Sequence, residues 1–401
     1  FDENNKITAY RVSTKCNLGA YNSQFGQPIQ ALLFSKVLMG VYDVQTTWLQ
    51  VEGYYTNTVQ TDAYRGAGRP EAIYVLERLM DRAARELGVD PWELRRINFI
   101  KPEQFPYTSA TGENYDVGEF NRLLTRAAVE ADHDGFAARK AADAEKGLLR
   151  GQGLCYYIES ILGDPAEGAK VESNGQGHET VYAQFLSDQT GIPADLIYVI
   201  QGDSDLIAQG GGTGGSRSVT TQSTATLATV AKMTDAFTAF LSDEMGVPAA
   251  EISFDDERFR AEGSNMTPTM LEVAEMARAK GRNDLLVHHE RATLPGRSYP
   301  NGAHVSEVVI DPETGVVVVE RYTVVDDFGN LINPMLAEGQ VHGGVVQGIG
   351  QAIQEHVVYD EDGQLLTASF MDYAIPRAVD VPYIAFNSEP VPSTANLMGM
   401  K

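Results

Sequence analysis

Positive charge is scarce in this 401-residue chain, where 31 Lys and Arg stand against 55 Asp and Glu for a formal net charge of −24. Nucleic acids and anionic membranes attract basic surfaces, so both are excluded as natural partners. The two cysteines, Cys16 and Cys155, provide neither a disulfide framework nor a cluster to hold iron–sulfur centres. They read as buried apolar residues. No apolar stretch approaches the roughly 18 residues of a membrane span, and no signal peptide is visible at Phe1. Internal repeats and low-complexity tracts are absent too. What is present is 43% hydrophobic content, enough for two sizeable cores, since domains usually run to about 100–200 residues. The balance suits a cytoplasmic enzyme.

The patterning predicts an α+β chain. Ile7 to Ser13 alternates like a strand, and Pro70 to Leu87 places Ile73, Leu76, Met80, Ala83 and Leu87 on one helical face that ends at Gly88. Asp90-Pro91-Trp92-Glu93 opens a second helix as a capping box, and Asp116 to Ala131 gives a third. Residues 132–150 are Ala-rich and charged without apolar periodicity, which predicts a linker between domains 1–131 and 151–401. After Gly151 the pattern restarts with a strand from Leu154 to Ser160. A long helix is expected from Ser218 to Met245, and a hairpin from Val305 to Val325 turning at Asp311-Pro312-Glu313-Thr314-Gly315. Asn333 to Ile353 reads as helical despite five glycines. Each costs about 1 kcal/mol against alanine, which implies that a backbone or a cofactor packs tightly there.

Three glycine-bearing loops carry the chemistry. In Ala63-Tyr64-Arg65-Gly66-Ala67-Gly68-Arg69-Pro70, glycines let the main chain approach a ligand, and Pro70 suits the first position of a helix whose free N–H groups attract an anion. An ordinary loop-to-helix junction would read the same way. Gly175-Gln176-Gly177-His178-Glu179-Thr180 can form a nest of backbone donors, with Gln176 and Thr180 adding side-chain hydrogen bonds to phosphate oxygens. The adjacent His178 and Glu179 point in different directions, which disfavours a metal site. The third loop runs from Gly202-Asp203-Ser204-Asp205 to Gly210-Gly211-Gly212-Thr213-Gly214-Gly215-Ser216-Arg217-Ser218. It follows an apolar run, Leu196 to Ile200, that reads as a strand. Ser216 and Arg217 stand where a Walker loop needs Lys and Ser/Thr, so a P-loop is excluded. A site with Thr, Ser and Arg converging on a polyanion remains.

These loops, in this order, together with Tyr299 to His304 and the run from Asn333-Pro334 through Gly339-Gln340-Val341-His342-Gly343-Gly344 to Gln347-Gly348-Ile349-Gly350, resemble the molybdenum-binding large subunit of the xanthine and aldehyde oxidase family. The bacterial large subunits grouped with aerobic carbon monoxide dehydrogenase are the nearest group. The resemblance implies two mixed α/β molybdopterin-binding domains. It implies that Gln176, Gly177, His178 and Thr180, with Thr213, Gly214, Gly215, Ser216, Arg217 and Ser218, grip the pyranopterin and its dinucleotide phosphates. Gly66, Ala67, Gly68 and Arg69 would line the space beside molybdenum, Arg65 would orient substrate, and Lys401 would join the cofactor set. Copper-containing relatives carry a cysteine where this chain has Gly66, so carbon monoxide is not the expected substrate. The family's general-base glutamate would follow Lys401, and its Gly-Gly-Gly-Phe-Gly loop would precede Phe1. The chain is therefore expected to be an internal fragment, inactive alone.

By the same resemblance, the cofactor is molybdenum with molybdopterin cytosine dinucleotide, and the reaction hydroxylates an aldehyde, ketone or N-heterocycle with water as oxygen donor. Electrons would leave through an iron–sulfur small subunit and an FAD-binding medium subunit, in a dimer of heterotrimers. A non-catalytic cofactor- or nucleotide-binding module would use the same phosphate nests.

Overall fold

The computed structural model describes residues 1–161, 166–168, 177–200, 205 and 213–401. Strand β1 (Tyr10–Gly19) pairs in parallel with β2 (Thr47–Tyr55). Between them lies a short helical passage that tightens into a π-helix at Ile29–Leu33. Helix α1 (Arg69–Leu87) follows and ends where Gly88 turns left-handed and donates its N–H to Ala84 O. Its buried stripe is Ala72, Leu76, Met80, Ala83 and Ala84, rotated from the expected face so that Leu87 is exposed. Helix α2 (Pro91–Asn98) is capped by the Asp90 carboxylate, which accepts from Trp92 N and Glu93 N. Helix α3 (Phe120–Glu130) begins four residues later than the sequence suggests. Asp116 instead accepts hydrogen bonds from Ser393 Oγ and Thr394 N.

Residues 132–150 are not an irregular tether. They hold helix α4 (Phe136–Ala144) and the start of strand β3 (Leu149–Ile158). Charge explains the order that periodicity missed: Arg139 and Arg150 both clasp the buried Glu307, and Arg150 also binds Asp143. Helices α5 (His178–Thr190), α6 (Ser218–Met245) and α7 (Met270–Ala279) come next in the chain. They precede the antiparallel hairpin β4 (Asn301–Ile310) and β5 (Val317–Asp327). Helix α8 (Pro334–Ile353) and strand β6 (Ile384–Ser388) complete the frame. The main sheet runs β6-β5-β4-β3, with only β5 and β6 parallel. Leu196 to Ile200 is not a strand: a 3-10 turn covers Ala194–Leu196, and Leu196, Tyr198 and Ile200 are exposed.

One core crosses the expected domain boundary. Tyr156, Ile158 and Val305 from the main sheet, with Tyr299 just before β4, pack with Leu76, Trp92, Phe99 and Phe120. A second core gathers Phe237, Leu241, Phe259 and Val273 around the C-terminal half of α6. Val345 and Ile349 of α8 pack on Val324 and Ile384 of the sheet.

Candidate functional site

The turn before α1 is tighter than its glycines alone suggest. Gly66, Ala67 and Gly68 take φ of 99°, 38° and 90°. A non-glycine residue with positive φ costs about 1–3 kcal/mol, so Ala67 is held there by its surroundings. A Cβ on Gly68 would lie 2.4 Å from Ile29 O, and one on Gly66 would lie 2.4 Å from Pro70 Cγ. The glycines therefore seat this turn against the π-helix and the chain's own proline, where the sequence suggested ligand approach.

Arg65 is thrown outward from the turn onto α8. Its Nη2 donates to Gln340 O at 2.8 Å and to Gln340 Oε1 at 3.3 Å, and its Nη1 donates to Gln347 Oε1 at 3.1 Å. The guanidinium rests above Gly343 and Gly344, where a Cβ would come within 3.4 and 3.5 Å of it. The tenant that two of the helix glycines admit is this side chain. Among the described residues the hydrogen-bond partners of Arg65 are neutral oxygens, and no carboxylate there pairs with its positive charge. Three bonds use three of the five guanidinium donors, leaving two for another molecule.

Arg69 behaves differently. It is 3% exposed, and its Nη2 lies 2.5 Å from Glu159 Oε1, at the end of β3. Its Nε is buried and has no hydrogen-bond partner among the described residues. Glu159 Oε1 also stands 3.5 Å from Ser216 Oγ. Burial raises the Glu159 carboxyl above its ordinary pKa, against the pull of Arg69. The first and third loops are thus brought together through a residue that neither contains.

The helices that follow the second and third loops meet as well. Tyr182 Oη donates to Ser218 O at 3.2 Å, one turn into α5 and at the first residue of α6. His178 is buried with its ring against Tyr182, whereas Glu179 and Thr180 are exposed. Thr213, Gly214 and Ser216 are exposed, Gly215 and Ser218 half-buried, and Arg217 buried. Gln176, Gly175, 202–204 and 210–212 lie outside the described residues. Gly177 faces Leu336 of α8, and Asn333 Nδ2 donates to Gln184 Oε1. The contacts close a ring, from the Arg65 turn through Glu159 to the 213–218 loop, on to α6, α5 and α8, and back to Arg65.

This ring suits an anionic cofactor. Helices α1, α5 and α6 start at Gly68, Gly177 and Arg217 with no side-chain cap, whereas Asp90, Thr269 and Asn333 cap α2, α7 and α8. Helices α3 and α4 also lack a cap, so it is the convergence of uncapped starts that marks the site. Uncapped first turns leave N–H donors and a positive dipole end for phosphate. The orphaned Nε of Arg69 adds a buried donor in want of an acceptor.

Lys401 is occupied elsewhere. Its side chain is fully buried and ion-paired with Asp327, which also accepts from Gly329 N, Val391 N and Asn301 Nδ2. Cys16 is buried, and Cys155, on β3 opposite His304, is only partly so. Sequence reasoning missed Glu159 and Asp327. Both sit at strand ends whose spatial neighbours are far off in the chain, and no local pattern marks either.

A family model described as molybdopterin cofactor-binding domain matches residues 126–382, and a second of the same description matches 1–99. The chain is 32% identical over 433 residues to the carbon monoxide dehydrogenase large chain of Afipia carboxidovorans, covering 99% of this chain and 54% of that protein. It is 30% identical to the nicotine 6-hydroxylase large subunit of Paenarthrobacter nicotinovorans, covering 90% and 48%. Among solved structures, quinoline 2-oxidoreductase from Pseudomonas putida 86 superposes with a TM-score of 0.92 at 28% identity, covering 100% of this chain and 55% of that one. The chain thus spans about half the length of the curated relatives it matches. With uncapped helix starts meeting around Arg69 and Ser218, and both stretches matched by the same description, the chain belongs to the molybdopterin cofactor-binding domain family.

Proposed function

We propose that the chain is the molybdopterin-binding portion of a molybdenum hydroxylase large subunit that hydroxylates an aldehyde, ketone or N-heterocycle with water as the oxygen donor. The observation that carries this reading is the guanidinium of Arg65, fixed on α8 by neutral oxygens alone and three residues before the uncapped start of α1. Two relatives named for nicotine and quinoline support an N-heterocycle. Gly66 supplies no thiolate, which weighs against carbon monoxide despite the likeness to carbon monoxide dehydrogenase.

Gln176, Gly177, His178 and Thr180, with Thr213 to Ser218, would hold the cofactor's phosphates through the first turns of α5 and α6. Gly66 to Arg69 would wall the space beside the metal. Lys401 enters this set only if it exchanges its bond to Asp327. The molybdenum cofactor, in its cytosine dinucleotide form, supplies the redox chemistry when bound. Arg65 orients the substrate and stabilises negative charge that develops on its carbonyl or ring nitrogen. Gln340 and Gln347 keep the guanidinium from swinging away without neutralising it. An iron–sulfur small subunit and an FAD-binding medium subunit carry electrons onward, in a cytoplasmic dimer of heterotrimers.

Quantifying molybdenum and released nucleotide in the full-length protein with its co-purifying subunits tests this. One molybdenum per large subunit is expected. Nucleotide without molybdenum, or neither, would make the chain a non-catalytic binding module.

A further inference from the structure

Glu159 has no place in the sequence motifs, yet it stands where two strained turns meet. Ala67 and Ser216 are non-glycine residues with φ of 38° and 59°. Each lies beside a group that Glu159 Oε1 touches: Arg69 Nη2 at 2.5 Å, and Ser216 Oγ at a long 3.5 Å. The carboxylate is itself anchored, because the Glu159 backbone N–H donates to Pro300 O at 2.7 Å, fixing it to the end of the main sheet. An ion pair serving stability alone would not need to be placed between the two loops that wall the same space.

We propose that Glu159 is a positioning residue that sets the spacing between the Arg65–Arg69 turn and the 213–218 loop, and so between the substrate-orienting guanidinium and the bound cofactor. This rests on the function proposed above. Arg69 sits at the first turn of α1, four residues from Arg65, and the turn between them is tied by Ala67 N–H donating to Tyr64 O and Arg69 N–H donating to Gly66 O, so displacement of one end carries to the other. Misplacement by about 1 Å can cost on the order of 100-fold in rate.

The test uses the full-length enzyme with its subunits. Glu159→Gln should lower turnover per bound molybdenum by roughly ten- to a hundred-fold, with KM shifted less than kcat, and should alter the line shape of the Mo(V) electron paramagnetic resonance signal. Breaking one half of a buried pair can unfold a protein, whereas replacing both halves with apolar residues is often tolerated. The Arg69→Met/Glu159→Leu double variant therefore provides a folded comparison, and it should show the same loss and the same spectral change. Turnover per molybdenum and a spectrum equal to the parent's in either variant, with only the melting temperature lowered, would reduce Glu159 to a structural partner. A parent enzyme without molybdenum would overturn the underlying function instead.

Discussion

Gly68→Ala probes whether the turn that launches Arg65 is seated as described. Gly68 has φ of 90°, and a Cβ there would lie 2.4 Å from Ile29 O, 2.9 Å from Phe34 N and 3.0 Å from Leu33 Cβ. With ψ of −30° this backbone lies outside the left-handed helical basin, and holding an L-residue there costs about 1–3 kcal/mol. Two of the three neighbours are backbone atoms that cannot rotate aside, so overpacking adds about 1–3 kcal/mol. The sum is about 2–6 kcal/mol. Gly88 supplies an internal control: its backbone is in the left-handed helical basin and nothing lies within 4 Å of a Cβ, so Gly88→Ala should cost only that backbone term, about 1–2 kcal/mol. At about 2–4 °C per kcal/mol for a large domain, Gly68→Ala should melt several degrees below Gly88→Ala in parallel thermal scans. Equal shifts would show that the turn is not packed against the π-helix.

Arg65→Met in the full-length enzyme should leave molybdenum content and melting temperature near those of the parent while lowering turnover about 10²- to 10³-fold, because water can replace its bonds to the exposed glutamine oxygens. Loss of metal, or near-normal turnover, would refute its substrate-facing role. Glu113 is buried, yet hydrogen bonds from Lys36 and Tyr299 and the charges of Lys36 and Arg297 outweigh the cost of burial and hold its carboxyl below the usual range. A lowered pKa contributes stability that is present above the ordinary glutamate value of about 4.3 and lost as pH falls through the folded value. Glu113→Gln should thus destabilise by about 2–3 kcal/mol near neutrality. The gap from the parent in denaturant midpoint should close on acidification, and a gap independent of pH would contradict the assignment.

Local signals carried much of the fold. Gly88, the Asp90 cap, the turn at Asp311–Gly315 and the span Ser218–Met245 were legible because glycine handedness, capping chemistry and periodicity act over a few residues. Leu196 to Ile200 misled for the same reason, since an apolar run specifies burial only if a sheet is there to receive it. Residues 132–150 hid a helix because Arg139, Arg150 and Asp143 order it through Glu307, some 160 positions away. The site divides along the same line. Its loops could be read from glycine and Arg content, but what joins them could not, because Glu159, Gln340 and Tyr182 act across the fold.

Ser218→Asp probes whether the starts of α5 and α6 hold an anionic cofactor. An acidic residue in the first turn of a helix stabilises it by about 0.3–1 kcal/mol, so the fold should be kept, but its charge would stand against phosphate. The Ser218→Asp protein should show an unchanged or slightly raised melting temperature, with molybdenum and nucleotide per chain reduced at least about tenfold, the ratio given by roughly 1.4 kcal/mol of repulsion. Full cofactor content in a folded Ser218→Asp protein would contradict that role of the two helix starts.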